Sequence, residues 1–309
     1  MQIKLQIMFG LASFFMLTKI FCVCYNLSME TLTLENETLS SNEILTDDII
    51  FGKTETKKAM DTSGFGDFTV IILLAKNPAF KGVLKPYEIN IYGKKMWQWV
   101  ALACEGYKTK TVACSPESNI LSLIKPHLED TKFTAVFYSD TPLLQKSTIE
   151  EIFMFARSRD INVMRLTRGF IFNTEYVKTA TEIAAMQTEY FEEEDFITCY
   201  NQKQVAFVSD IIKNRILDFH MSEGVQIVDP NTTFVDCDCI IGAGTRIEPN
   251  NIIRGMTFIY PNCVLDGGNI IENSIIGENC KIINSYISES RIKDRQVVGP
   301  YEKIIKKST

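Results

Sequence analysis

VDCDCIIGAGTRIEPNNIIRGMTFIYPNCVLDGGNIIENSIIGENCKIINSYISESRIKDRQVVGP, residues 235–300, decides the fold, because an aliphatic residue recurs in it at a fixed step of six. Val235, Ile241, Ile247, Ile253, Ile259, Leu265 and Ile271 keep the step, and Ile276, Ile282, Ile287, Ile292 and Val298 continue it with one-residue slips. A period of six fits neither a 3.6-residue helix nor a two-residue strand alternation. It is the mark of a hexapeptide β-helix, in which three short strands complete a triangular coil and each aliphatic stacks on its counterpart in the next coil. A second column agrees: four residues after an aliphatic stand Cys239, Thr245, Asn251, Thr257, Cys263, Asn269 and Cys280, all small enough for a tight corner. Ordinary hairpins would instead show turn dipeptides every 8 to 12 residues.

The whole chain has 309 residues, 46% hydrophobic and 23% charged, which is the composition of a globular protein with room for two domains. A net charge of −6 offers no basic stripe to neutralise phosphates, so nucleic acid is not an expected partner. The nine cysteines include no C-x-x-C pair, which removes zinc ribbons and thioredoxin-type motifs built from sequence neighbours. Cys239, Cys263 and Cys280 already belong to the corner column, and a reducing compartment is the simpler inference.

In front of the repeat the expected organisation is three-part. Residues 1–66 hold an apolar run from Ile7 to Leu17, a second apolar patch to Tyr25, and a polar leader rich in Thr, Glu, Ser and Asn. The apolar run is too short to span a bilayer and has no clear cleavage site, and Met29 and Met60 both precede the globular part. A misassigned start and a cytoplasmic protein are the expectation, with export as the competing reading. Residues 67–223 alternate apolar strands and amphipathic helices, which predicts a mostly parallel sheet with helices on both faces. Strands are expected at 69–75, 110–114, 133–138, 162–166, 169–172 and 196–200. Helices are expected at 94–104, 117–125, 148–158, 174–186 and 203–221, with Ser147 and Glu150 forming a capping box for the third. The acidic run Glu192–Asp195 reads as a solvated loop rather than a metal site. Residues 224–309 are the β-helix and a short tail. Its outward positions put Ile240 beside Phe258 and Ile252 beside Ile270, apolar strips that point to a homotrimer.

Four segments carry a family likeness: GKKMWQWV (93–100), YSDTPLL (138–144), GVQIVDP (224–230), and the repeat from IIGAGTRIEPNNIIRG through IIENSIIGENCKI to VGPY. On them the chain resembles the bacterial N-acetylglucosamine-1-phosphate uridylyltransferases of the GlmU type. The likeness covers roughly residues 68–301 and is strongest after Gly224. It implies a Rossmann-like nucleotidyltransferase domain followed by a short left-handed parallel β-helix. It also implies Mg²⁺-dependent transfer between a nucleoside triphosphate and a sugar-1-phosphate: UTP and N-acetylglucosamine-1-phosphate giving UDP-N-acetylglucosamine and pyrophosphate.

Carried over residue by residue, the resemblance makes Asp140, in the family's Gly-Asp-x-Pro-Leu segment, the Mg²⁺ ligand, with Asn201 as the second ligand after a one-residue shift from Tyr200. A carboxylate at the carboxyl end of a central strand lies where α/β sheets bind ligands, and a hard oxygen suits Mg²⁺; capping of the following turn, fixed by Pro142, is the competing role. Lys85 stands near the family's catalytic lysine, offset by one, and an exposed loop lysine is the competing reading. Ala75, Lys81, Thr141, Thr167 and Gly169 match or echo substrate contacts. The departures are as informative. LLAKNPAFKGVLKP (73–86) replaces the family's glycine-rich phosphate loop, and Pro78 lacks a backbone N–H. The uracil-reading segment has no counterpart. The only histidines, His127 and His220, precede the repeat, so the family's acetyltransferase site is absent from these coils. Two functions stay open: a uridylyltransferase, and a catalytically degenerate sugar-nucleotide-binding or oligomeric scaffold protein.

Overall fold

The computed structural model describes residues 66–83, 85–159, 161–183 and 187–306. The apolar N-terminal segment and leader lie outside the described residues, as do residues 184–186; the helix expected at 174–186 already ends at Thr179.

The apolar runs form a six-stranded sheet. Its members are β1 (Phe68–Ala75), β4 (Lys108–Cys114), β5 (Phe133–Tyr138), β6 (Val163–Leu166), β7 (Gly169–Asn173) and β8 (Gln187–Thr188), in the order β4-β1-β5-β7-β6-β8. Strands β2 (Asn90–Ile91) and β3 (Lys94–Lys95) make a separate antiparallel hairpin. β1 runs parallel to both β4 and β5, whereas β7 is antiparallel to β5 and β6, so the 163–173 hairpin makes the sheet mixed. β1 is flanked on both sides by later strands, and the chain therefore changes direction around its carboxyl end. Crevices at such switch points are the usual ligand sites of open α/β sheets.

Helices cover both faces, as expected. On one, α1 (Met96–Ala103) and α3 (Lys146–Arg157) bring Val100, Ala103, Ile149, Ile152 and Phe153 onto Val70, Ile72 and Phe137. On the other, Leu121 and Ile124 of α2 (Ile120–Ile124) and Val177 of α4 (Thr174–Thr179) cover Ile71, Leu73 and Val136.

Three local expectations are corrected. Helix α3 starts at Lys146 with Gln145 as its N-cap, so Ser147 and Glu150 form no capping box. The cap is supplied from far away: Asp195 accepts from Gln145 N at 3.3 Å, from Gln145 Nε2 at 3.0 Å, and from Thr148 Oγ1. The acidic run is accordingly not a solvated loop throughout, since Asp195 is 0% exposed and ion-pairs with Arg215 at 3.6 Å. Third, the strand expected at 196–200 is a 3₁₀ turn (Glu194–Phe196) followed by irregular chain, because the Cys199 N–H is taken by the Asp140 carbonyl at 2.7 Å rather than by a ladder.

The repeat forms three parallel sheets of five, four and five strands, wound as a left-handed β-helix. Register confirms the stacking: Val235 pairs Ile253, which pairs Ile271, which pairs Ile287. The inward aliphatics are all 5% exposed or less from Val235 onward. Each buried isoleucine contributes on the order of 1.5–3 kcal/mol of transfer free energy. The turns use the left-handed backbone at Gly244, Asn250, Gly255, Asn262, Gly268, Asn273, Asn279, Asn284, Glu289 and Arg295, positions where glycine and asparagine are the least strained residues. Two of the one-residue slips follow Asn273 and Asn284, where a shortened corner keeps the column in line.

Small corner residues stack as polar ladders. Asn269 Nδ2 donates to Asn251 Oδ1 at 2.9 Å and to the carbonyls of Asp266 and Ile282, and Asn269 Oδ1 accepts from Ser285 N at 2.9 Å. Asn269 is 0% exposed, so these bonds satisfy backbone that water cannot reach. Asn269→Ala is expected to cost about 2 kcal/mol, read as a lower urea midpoint, because several buried partners lose their bonds at once.

The predicted outward pairs hold in register: Ile240 opposite Phe258 and Ile252 opposite Ile270. Ile240 is nonetheless only 8% exposed, so the apolar strip on that side begins at Phe258. The amino-terminal end of the prism is covered. Helix α5 (Gln202–Ser222) places Val205, Val208, Ile212, Ile216 and Leu217 in one core with Val225, Ile227, Val235, Ile241 and Ile247. The same core extends to Phe80, Met96 and Leu143, so the β-helix and the α/β part share a continuous apolar interior.

Candidate functional site

The carboxyl ends of β1, β4 and β5 converge on Ala75, Cys114 and Ser139-Asp140. Leu73 pairs with Tyr138 and Ala75 with Cys114, and Ala75 N–H donates to Ser139 Oγ at 3.2 Å. Asp140 therefore sits where the strand positions predict, at the switch point.

Its carboxylate is already engaged. Arg168 Nε donates to Oδ1 at 3.1 Å and Arg168 Nη2 to Oδ2 at 2.7 Å, a two-point clamp on a residue that is 6% exposed. The guanidinium lies over the Tyr138 ring, 3.9 Å from its centroid. Arg168 belongs to the two-residue turn between β6 and β7, and Gly169, just after it, pairs with Phe137 of β5. A Cβ at Gly169 would lie 2.6 Å from the Val136 carbonyl oxygen, so close approach of the two strands demands glycine there. Gly169 thus has a packing role, and Thr167 is an exposed turn residue beside it. Thr141 is 0% exposed and its hydroxyl donates to the Tyr138 carbonyl at 3.0 Å, closing the turn that Asp140 occupies.

Asn201 is spent as well. It is the N-cap of α5, its side-chain oxygen accepting from Gln204 N at 3.0 Å. With both Asp140 oxygens on Arg168 and the Asn201 oxygen on a helix cap, the residues that the resemblance assigns to Mg²⁺ do not fit the ion. Among the described residues no group of three or more His, Cys, Asp or Glu side chains is placed to hold a metal.

The loop after β1 has turned inward. Phe80 is 4% exposed and packs in the core with Met96, Leu143 and Val205. Asn77 organises the turn, its side chain accepting from Ala79 N at 2.9 Å and its carbonyl from Phe80 N at 3.1 Å. Lys81 N and Val83 N also donate within the loop, to Ala79 and Phe80 carbonyls. A phosphate cradle needs free amides, and these are consumed. Lys85, carried over as catalytic, is exposed and ion-pairs with Glu88 at 3.6 Å. Lys81 instead lines an open pocket of about 360 Å³ with Lys76, Asn77, Pro78 and Pro116, just beyond the ends of β1 and β4.

Two thiols flank the site. Burial pushes Cys199 up to about 12, with the Asp140 charge adding to the effect, and burial likewise raises Cys114. Both are neutral thiols at physiological pH, without nucleophilic character. Cys104, Cys114, Cys199, Cys239, Cys263 and Cys280 are free thiols, and burial holds Cys239 at about 12 and Cys263 at about 11, in line with their place as corner fillers.

Sequence reasoning placed Ala75, Asp140 and Thr141 correctly at the strand ends. It missed Arg168 as the partner of Asp140. The available signal was its position in the turn of a hairpin whose second strand borders β5.

No protein-family profile matches the chain. Curated relatives do: proteins named "Bifunctional protein GlmU" from Listeria welshimeri (40% identical over 119 residues, 38% of this chain and 26% of that protein), Listeria innocua (39% over 126 residues, 40% and 27%), and Clostridium beijerinckii (39% over 128 residues, 41% and 28%). The chain spans about a quarter of the length of these relatives. Among solved structures, the Mycobacterium tuberculosis protein Rv0371c and its homologue from Mycobacterium sp. strain JC1 align at TM-scores of 0.36 and 0.38 with 9% identity, covering 47% and 48% of this chain and 97% of each of theirs.

Proposed function

We propose that this chain is a catalytically degenerate relative of the sugar-1-phosphate nucleotidyltransferases, binding a uridine sugar nucleotide at the carboxyl ends of β1, β4 and β5 without turning it over. The observation that carries the reading is the remodelled loop after β1, whose amides bond internally and whose Phe80 is buried where a donor-rich phosphate loop would be needed. In-line attack on an α-phosphate depends on dense charge neutralisation around the phosphates. Here that machinery is reduced to Lys76 and Lys81 at the pocket rim and the half-buried Arg168 guanidinium. Those three cations remain suited to holding a diphosphate, and the proposed ligands are accordingly UTP and UDP-N-acetylglucosamine. The β-helix is assigned to assembly as a homotrimer, through the strips at Phe258–Ile275 and Ile252–Ile270.

One observation favours the enzymatic alternative. Arg168 is 35% exposed and sits on a turn, so substrate entry has a side chain to displace. A single assay separates the two. Incubated with UTP, Mg²⁺ and N-acetylglucosamine-1-phosphate, the protein is expected to release no more pyrophosphate than Asp140→Ala; release that Asp140→Ala abolishes overturns the proposal.

A further inference from the structure

We propose that Arg168 acts as a built-in cation, standing beside Asp140 where the resembled family holds a divalent ion, so that Asp140 is closed to metal in this chain. The inference concerns cation binding alone and stands whether or not the protein turns over a nucleotide.

Three features of the geometry converge on it. The clamp is two-pointed and nearly dry, with Arg168 Nε and Nη2 on separate oxygens of a carboxylate that is 6% exposed. A divalent ion would have to break both bonds and leave a guanidinium beside it, two like charges in contact. Next, the pairing is fixed by the sheet rather than by side-chain chance. β7 is hydrogen-bonded to β5 with Gly169 opposite Phe137, so the residue before Gly169 is held next to the residues that follow Tyr138. The Gly169 backbone, pressed on the Val136 carbonyl, keeps the turn at that depth, and the Tyr138 ring beneath the guanidinium sets its plane. Finally, the second ligand position is lost independently, because Asn201 caps α5.

Arg168 Nη1 has no partner among the described residues, and the side chain is 35% exposed. The guanidinium thus keeps one donor edge for an incoming anion while its other edge neutralises Asp140. A guanidinium differs from Mg²⁺ in carrying one charge instead of two and in offering directional N–H donors instead of open coordination positions.

The test is Mn²⁺ binding followed by the loss of the free-ion paramagnetic resonance signal, on the full chain without nucleotide. The wild type is expected to leave the signal unchanged. Arg168→Ala is expected to gain weak Mn²⁺ binding, limited by Asn201 staying on its helix cap, and adding Asp140→Asn in that background to remove the gain. Arg168→Gln, which keeps polar bulk beside Asp140 but removes the charge, guards against misfolding of the alanine variant, with near-UV dichroism reporting the fold of each. Mn²⁺ bound by the wild type and lost in Asp140→Asn overturns the proposal. So does the absence of any Mn²⁺ site in folded Arg168→Gln and Arg168→Ala. Pyrophosphate release in the separate nucleotidyltransferase assay would sink the functional reading without touching this result.

Discussion

Asp195→Ala is expected to lower the free energy of unfolding by about 3 kcal/mol, because it leaves several buried hydrogen-bond donors without their acceptor. Asp195 is 0% exposed and serves several partners at once. It accepts from the Gln145 amide and side chain at the start of α3, accepts from Thr148 Oγ1, and faces Arg215 of α5 at 3.6 Å. Arg215 also donates to the Leu143 carbonyl at 3.0 Å, so the cluster joins the start of α3, α5 and the segment that follows Asp140. Truncation leaves the Gln145 and Thr148 donors without their acceptor, α3 without a cap, and a cavity, while Arg215 keeps Glu194 at 3.0 Å. Asp195→Asn keeps one acceptor oxygen and is expected to lose roughly half as much. Urea unfolding followed by circular dichroism reads both, and an alanine variant within 1 kcal/mol of wild type, roughly the reach of an exposed pair, would refute the cluster's role.

Acid should produce a comparable loss through His220. This residue lies in the last turn of α5, 3% exposed, with Nδ1 lacking a hydrogen-bond partner among the described residues, and burial depresses its pKa from 6.5 to about 4. The folded form therefore holds the imidazole neutral. The unfolded chain begins to take up the proton near pH 6.5, and the folded chain does so only near pH 4. Stability contributed by the neutral ring is complete above pH 6.5 and is lost as pH falls toward 4, by about 3 kcal/mol in all. His220→Leu fills the same space without a titrating group. Carboxylates titrate over part of this range in both proteins, so the difference between the two unfolding curves isolates the histidine. A difference that does not change between pH 7 and 4 would show that the folded protein tolerates the charged ring.

How much of this was legible in the sequence depends on the range over which each signal acts. The β-helix was readable in detail, because its code is local and repeated. Ile253, Ile259 and Leu265 occupy equivalent places, Asn251 and Asn269 fill equivalent corners, and every coil repeats the pattern. The strands of the sheet were readable for a related reason, as runs such as FTVIILLA are buried on both faces. The cap of α3 was not. A serine followed three residues later by a glutamate is a sound local signature, yet Asp195, some 50 residues downstream, outcompeted it through tertiary packing. Phe196 and Cys199 are buried like strand residues, but the Cys199 amide bonds across the fold to Asp140.

The site shows the same division. Asp140, Thr141 and Ala75 follow directly from strand positions, and the absence of the phosphate loop follows from Pro78 and Phe80. The Arg168 clamp required knowing that β7, not β6, lies against β5. Lys85 and Asn201 were assigned by alignment to residues whose neighbours differ here: Glu88 pairs with the first, and the α5 amides with the second.

Calorimetric titration with UDP-N-acetylglucosamine in the presence of EDTA asks at once for binding and for independence from metal. Saturable binding in EDTA, unchanged by added Mg²⁺ and weakened by Lys76→Ala with Lys81→Ala, is the predicted result. Binding that appears only with Mg²⁺, or no binding under either condition, would contradict it.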